Sequence, residues 1–190
     1  MSYIKQNDIL LTKLLEYYKK DNNINMDKML SIINGESRIS LRIVDWFTTN
    51  YAKKHYSVYN IESKSNDSSI HFKRFKVYVD YKLNLKAYAK KRFDPFCRWE
   101  RITIPYNKNQ YIQTTIGQLN FFKWAIENNV IKYIENNYAE IELDMNSRNS
   151  TSKKKLIKNN SKSRKKREEL SISATKSVKR ENIEIIVEFN

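Results

Sequence analysis

The chain has 190 residues, a formal net charge of +15 and a sequence pI of about 9.7. That length fits one domain with a tail, and the charge points to an acidic partner. A single cysteine, Cys97, excludes an internal disulfide; with only His55 and His71 beside it, a four-ligand zinc site would need several carboxylates, so neither a metal nor a cofactor is expected.

The N-terminal part reads as helical. Residues 3–20 place Leu10, Leu11, Leu14, Leu15 and Tyr18 at three- and four-residue spacing. A second helix is predicted over residues 25–33, stopped by Gly35, which tolerates the left-handed conformation at a helix end. Ser37 is a candidate cap for a third helix over 38–54, with Ile39, Ile43, Trp46, Phe47 and Tyr51 inward. Three short helices invite comparison with a helix-turn-helix head, but only Arg38 and Arg42 stand as base-reading candidates, and such triples are more often packing units.

From Tyr56 the period changes. Tyr56, Val58 and Ile61 suggest a strand, residues 62–69 a polar loop, and the alternation of Phe75, Val77 and Val79 a second strand. Leu85, Tyr88 and Ala89, with Lys86, Lys90 and Lys91 opposite, then suit a basic amphipathic helix. Asp94-Pro95 is a helix-start signal that would set Arg92 and Arg98 beside free backbone amides; a tight connector buried by Phe93 and Phe96 is the competing reading. Residues 101–106 alternate as a strand whose Pro105 belongs at an edge or end, and Tyr111 and Ile112 fit a short return strand. Thr115 and Gln118 form a capping-box pattern that opens one long core helix over 116–137.

The fold expected is therefore α+β: a three-helix head over 1–55, then a small, mainly antiparallel sheet with one long core helix over 56–145. Residues 146–182 are polar, nearly free of large apolar side chains and carry 13 basic against 3 acidic residues, a composition expected to stay disordered. Residues 183–190 return to strand character.

Basicity is concentrated. Residues 72–101 carry ten Lys or Arg against three acids, interleaved with eight aromatic rings. Lys, Asn, Ile and Tyr have A/T-rich codons, so only the clustering of charge is informative, not its total. Basic groups neutralise phosphates and flat rings stack on bases. The candidate nucleic-acid-binding residues are Lys73, Lys76, Tyr78, Lys86, Tyr88, Lys90, Lys91, Arg92, Phe96 and Arg98. In the C-terminal basic region Lys153, Lys154, Lys155, Arg164, Lys165, Lys166 and Arg167 join them, in clusters also compatible with nuclear import. Asp80, Asp94 and Glu100 lack the spacing of a nuclease metal site, and no phosphate-cradling glycine loop or nucleophile–base pairing occurs, so no catalytic residue is assigned.

Three segments, ISLRIVDWFTTNYAKK, FDPFCRWERI and TTIGQLNFFKWAI, resemble an uncharacterised protein group of large nucleocytoplasmic DNA viruses of the mimivirus kind. The resemblance covers about residues 26–145, implies a viral origin and carries over no catalytic residue. The expected function is non-catalytic nucleic-acid binding, in the host cytoplasm at the viral factory or in the virion. The alternative is a viral structural or assembly protein anchoring to acidic partners. No apolar run long enough to span a membrane is present.

Overall fold

The computed structural model describes residues 6–20, 22–64, 70–97, 100–107, 110–158 and 179–182. In chain order the elements are α1 (Gln6–Lys20), α2 (Ile24–Asn34), α3 (Leu41–Trp46), a π-helical turn (Phe47–Tyr51), α4 (Ala52–Lys54), β1 (Val58–Lys64), β2 (Ile70–Lys76), α5 (Val77–Tyr88) and α6 (Lys90–Phe93). Then come β3 (Arg101–Asn107), β4 (Gln110–Thr115), α7 (Ile116–Glu127), α8 (Val130–Asn136), α9 (Tyr138–Lys158) and β5 (Lys179–Asn182). The fold is α+β, as expected, but the strands form two separate antiparallel sheets, the hairpin β1–β2 and the sheet β3–β4–β5. Pro105 lies in β3, an edge strand, where a residue without an N–H is tolerated.

Local chemistry sets several helix ends. Gly35 closes α2 in the left-handed conformation (φ 77°), with its N–H on the Ile32 carbonyl and that of Glu36 on the Ser31 carbonyl. The third helix is capped by Ser40, not Ser37: Ser40 Oγ accepts from the Ile43 amide, while Ser37 Oγ serves Ile39 in the turn before it. Its continuation is π-helical because Thr48 and Thr49 both turn their hydroxyls back onto the Asp45 carbonyl, competing with the backbone amides for it.

α7 sits at the centre. Leu119, Phe121, Phe122 and Ala125 are fully buried and Trp124 nearly so, which leaves α7 apolar on almost every side. The Thr115 hydroxyl accepts from the Gln118 amide, as the capping pattern predicts, and Gln118 Oε1 accepts from the Thr114 hydroxyl. The long helix expected over 116–137 is two helices. Asn128 and Asn129 break it, Asn129 adopting φ 56°, a conformation Asn tolerates better than most residues. The break frees the Asn128 carbonyl to accept from the Tyr59 hydroxyl at 2.7 Å, which ties the β1–β2 hairpin to the core. α1 is fixed in the same way: the buried Tyr18 hydroxyl donates to the Leu119 carbonyl at 2.7 Å.

α9 packs on α3 and the π turn through Ile141, Met145 and a buried carboxylate. Asp144 accepts from Trp46 Nε1 (3.0 Å) and pairs with Lys54 (2.5 Å). Burial pushes its carboxyl up, but the hydrogen bonds from Lys54 and Trp46 and the charges of Lys54 and Arg148 outweigh it and hold it below the usual carboxylate range. The helix runs on to Lys158, so the first residues of the segment expected to lack structure are helical. An anchored helix propagates cheaply once its costly nucleus exists. Residues 179–182 supply the strand β5 against β4, and the strand expected over 183–190 lies outside the described residues.

One close approach sets the position of α6. A Cβ added to Gly117 would meet the Asp94 carbonyl oxygen at 2.9 Å and that of Lys91 at 3.3 Å, both backbone atoms that cannot swing aside. Gly117→Ala is expected to cost about 1–3 kcal/mol, the usual range for overpacking. An unchanged midpoint in a urea titration would show that α6 has room to move.

Candidate nucleic-acid interface

The strand expected through residues 75–80 ends at Lys76, and Val77 begins α5. Both periods fit so short a stretch, and burial decides between them. Val77 and Tyr81 are buried at helical spacing, with Leu85 and Tyr88 packed beyond them, whereas Val79, inward in a strand, is 44% exposed. The inner face of α5 rests on an aromatic cluster in which Tyr81, Tyr88, Phe121 and Trp124 surround Phe93, with centroid separations of 5.6–6.0 Å. Burial, with the nearby acids Asp45 and Asp94, holds the Tyr81 hydroxyl well above the ordinary tyrosine range.

This packing sorts the charges of α5. Asp80, its one acid, accepts from Trp124 Nε1 at 2.7 Å and from Asn84 Nδ2 at 2.9 Å, so its charge is held on the core side. The outer face presents Val79, Lys82, Leu83 and Lys86, and Lys90 follows at the start of α6. Tyr78 and Leu85 join them to line an open groove of about 710 Å³. Among the described residues Lys76, Lys82, Lys86 and Lys90 enter no ion pair. Lys53, from α4, sets its ammonium 5.7 Å from the Tyr78 ring centroid. The β1–β2 hairpin continues the surface: Phe72, 67% exposed, Arg74 and Lys76 share its outer side by strand alternation.

Four of the sequence candidates, Lys76, Tyr78, Lys86 and Lys90, thus converge on one surface. Lys73 alternates to the opposite side of the hairpin, the side of buried Phe75. Tyr88 is half-buried and stacked on Phe93, its ring taken up by packing. Arg92 ties α6 to α1, its Nε donating to Asn7 Oδ1 at 2.7 Å, while its carbonyl accepts from Asn120. Phe96 is half-buried against the core, and Lys91 is exposed. The turn expected after Asp94 is a single one that Asp94 caps: its Oδ1 accepts from the Phe96 amide and its carbonyl from the Cys97 amide at 3.1 Å, and with Phe93 buried and Phe96 half-buried it also serves as the tight connector. Lys153, Lys154 and Lys155 fall within α9, while Arg98, Arg164, Lys165, Lys166 and Arg167 lie outside the described residues. Arg38 covers the Tyr138 ring at 4.3 Å.

Lys53, Val79, Lys82 and Leu83 were missed by sequence reasoning. The four-residue steps Tyr78–Lys82–Lys86 carry the signal, since such steps share one helix face, but the strand-like alternation of Phe75, Val77 and Val79 masks it. Among the described residues no three His, Cys, Asp or Glu side chains lie together so as to hold a metal ion, and no helix is long and apolar enough to cross a membrane.

A protein of Acanthamoeba polyphaga mimivirus, the uncharacterized protein L507, is 45% identical over 140 residues, 71% of this chain and 51% of the mimiviral protein. The chain therefore spans about half the length of that relative. The resemblance to mimiviral proteins carried by the three sequence segments is thereby upheld. No solved structure matches the chain. Residues 3–189 match the model of the family of unknown function DUF7197, and the chain belongs to that family.

Proposed function

We propose that this protein binds nucleic acid without chemistry, through the outer face of α5 and the adjoining hairpin. The observation that carries the reading is the sorting of charge on α5. Its one carboxylate is held against Trp124, while Lys82, Lys86 and Lys90 line a groove bearing Tyr78, and Lys76 precedes the helix. A basic surface of this kind tracks a phosphate backbone, and a ring within it offers a base a stacking partner. The C-terminal basic clusters would add sequence-independent affinity. A viral relative fits action at the viral factory or within the virion.

Measured against salt, the logarithm of affinity should fall linearly with log salt concentration, with a slope near −0.7 per contacted phosphate on single strands. In the full chain, changing Lys82, Lys86 and Lys90 together to Gln is expected to reduce that slope by about two. All three are exposed, so the thermal transition should stay in place. An unaltered slope and affinity would remove α5 as the binding face.

The exposed aliphatic side chains in the groove, Val79 at 44% and Leu83 at 61%, favour a second reading, the docking of an acidic amphipathic protein segment during assembly. The two readings part at Leu83→Ser, which should weaken a protein partner strongly and a polynucleotide little.

A further inference from the structure

We propose that this surface selects single-stranded over duplex nucleic acid, with Tyr56 and Phe72 as the rings on which unpaired bases stack. The inference rests on the nucleic-acid reading and adds the state of the strand to it. Large apolar side chains left in solvent are unevenly placed. Among the described residues, Ile9, Ile24 and Leu143 lie on three different helices, α1, α2 and α9, whereas Tyr56, Phe72, Val79 and Leu83 share the basic surface. Tyr56 borders a recess with Lys53, Lys76 and Tyr78, and the recess adjoins the groove, since Tyr78 and Val79 border both. Phe72 shares the outer side of the hairpin with Arg74 and Lys76. Glu62 stands opposite Phe72 across the hairpin, so that end of the surface presents a ring more than a charge.

Tyr56, 62% exposed, and Phe72 are the exposed aromatic rings among the described residues, and there neither makes a ring contact nor does the Tyr56 hydroxyl make a hydrogen bond. The backbone under Tyr56 is strained besides. It adopts φ 50°, and across it the Ser57 amide donates to the Ala52 carbonyl at 3.2 Å. The same closure ends α2, where Gly35 takes the left-handed place and the Glu36 amide reaches the Ser31 carbonyl. Glycine or asparagine is usual there, because a larger side chain crowds the backbone at positive φ. The other non-glycine residues with positive φ among the described residues are Asn22, Asn23, Asn129 and Ala89, so Tyr56 is the bulky exception. No packing offsets this strain, since the ring lies in solvent, and residues strained without a structural return gather at functional sites. In a duplex the base faces stack on one another and only their edges and the phosphates face outward, so an exposed ring on a basic surface has nothing flat to meet. A single strand can turn its bases onto the rings while its phosphates follow the lysines.

The test uses the full chain and a short fluorescein-labelled deoxythymidine oligomer, alone or annealed to its deoxyadenosine complement, followed by fluorescence anisotropy at one salt concentration. Tyr56→Asn is expected to weaken the single strand about five- to a hundredfold, the range for losing a ring stacked on a base, and the duplex less than about twofold. Its melting temperature should hold or rise, because Asn accepts the left-handed backbone and the ring removed was exposed. Tyr56→Phe keeps the ring and loses no hydrogen bond, so it should bind as the parent chain does. Tyr56→Leu keeps apolar bulk without a ring and should fall with Tyr56→Asn. Phe72→Leu should likewise weaken the single strand alone. Changing Lys82, Lys86 and Lys90 to Gln should weaken both probes, since both carry phosphates. Single-strand binding left unchanged by Tyr56→Asn and Phe72→Leu overturns the stacking and leaves the α5 face standing. Losses as large on the duplex as on the single strand overturn the selection. A melting temperature that drops along with binding in Tyr56→Asn assigns the ring to the fold and overturns its place in the site. Binding of neither probe by the parent chain overturns both this inference and the reading beneath it.

Discussion

Phe93→Ala is expected to lower the free energy of unfolding by about 3–5 kcal/mol, the range for removing a fully buried ring. Phe93 has no exposed surface, and it joins three helices. From the end of α6 it contacts Tyr81 and Tyr88 of α5 on one side and Phe121 and Trp124 of α7 on the other. Gly117 brings the α7 backbone against the chain around it, which leaves the surroundings little freedom to collapse into the space vacated. A guanidinium titration should show the midpoint falling with little change in slope. Phe96→Ala, at a half-buried ring one turn on, should cost clearly less. Equal costs at the two positions, or a loss below about 1 kcal/mol at Phe93, would contradict the cluster's place in the core. Because α5 rests on this cluster, the Phe93 variant should also lose binding as it unfolds, and binding and stability should fall together.

Asp45→Asn should stabilise the protein at pH 8 by up to about 4 kcal/mol and leave it nearly unchanged at pH 4. Burial, and then the neighbouring carboxylate of Asp94, raise the Asp45 carboxyl from 3.8 to about 7. Between those values the folded chain keeps a proton that the unfolded chain has released. Stability therefore falls as pH rises through that window, by about 1.4 kcal/mol per unit at most, and the penalty is complete above pH 7. Asn keeps the shape and has no proton to lose, so the variant's pH profile should lack this decline. Asp144 works in the opposite sense: its depressed carboxyl adds stability that is present above the ordinary pKa of 3.8 and lost as the solution is acidified through the folded value. Denaturation at several pH values between 4 and 8 isolates the effect of Asp45, because that of Asp144 falls below this range. Profiles for the parent chain and Asp45→Asn that run parallel would rule out a titrating Asp45 in that range.

The features legible in the chain alone are those governed by near neighbours. α1 and α2 follow from apolar spacing, the stop at Gly35 from its freedom at positive φ, the edge position of β3 from Pro105, and the start of α7 from Thr115. Each depends on residues within a turn or two, where steric and hydrogen-bonding rules are local. The clustering of basic residues between 72 and 101 was equally legible, because charge is a property of the residue alone.

Tertiary structure decided what each of those residues does. Phe75, Val77 and Val79 fit a strand, while Val77, Tyr81 and Tyr88 fit a helix; the choice fell to Trp124, 44 residues from Asp80, whose indole N–H binds that carboxylate and whose ring helps to bury Tyr81. The same cluster took Phe93 wholly and Tyr88 in part into the interior, and the carboxamide of Asn7 took up Arg92 from 85 residues away. Lys53 and Lys82 became neighbours of Lys76 and Lys86 only once α4, the hairpin and α5 had packed. The hydrophobic effect is non-directional, so a ring or an aliphatic stem is buried by whichever surface reaches it first. A ring that fills a core and a ring that awaits a base are therefore the same residue in sequence, and only packing against distant segments separates them.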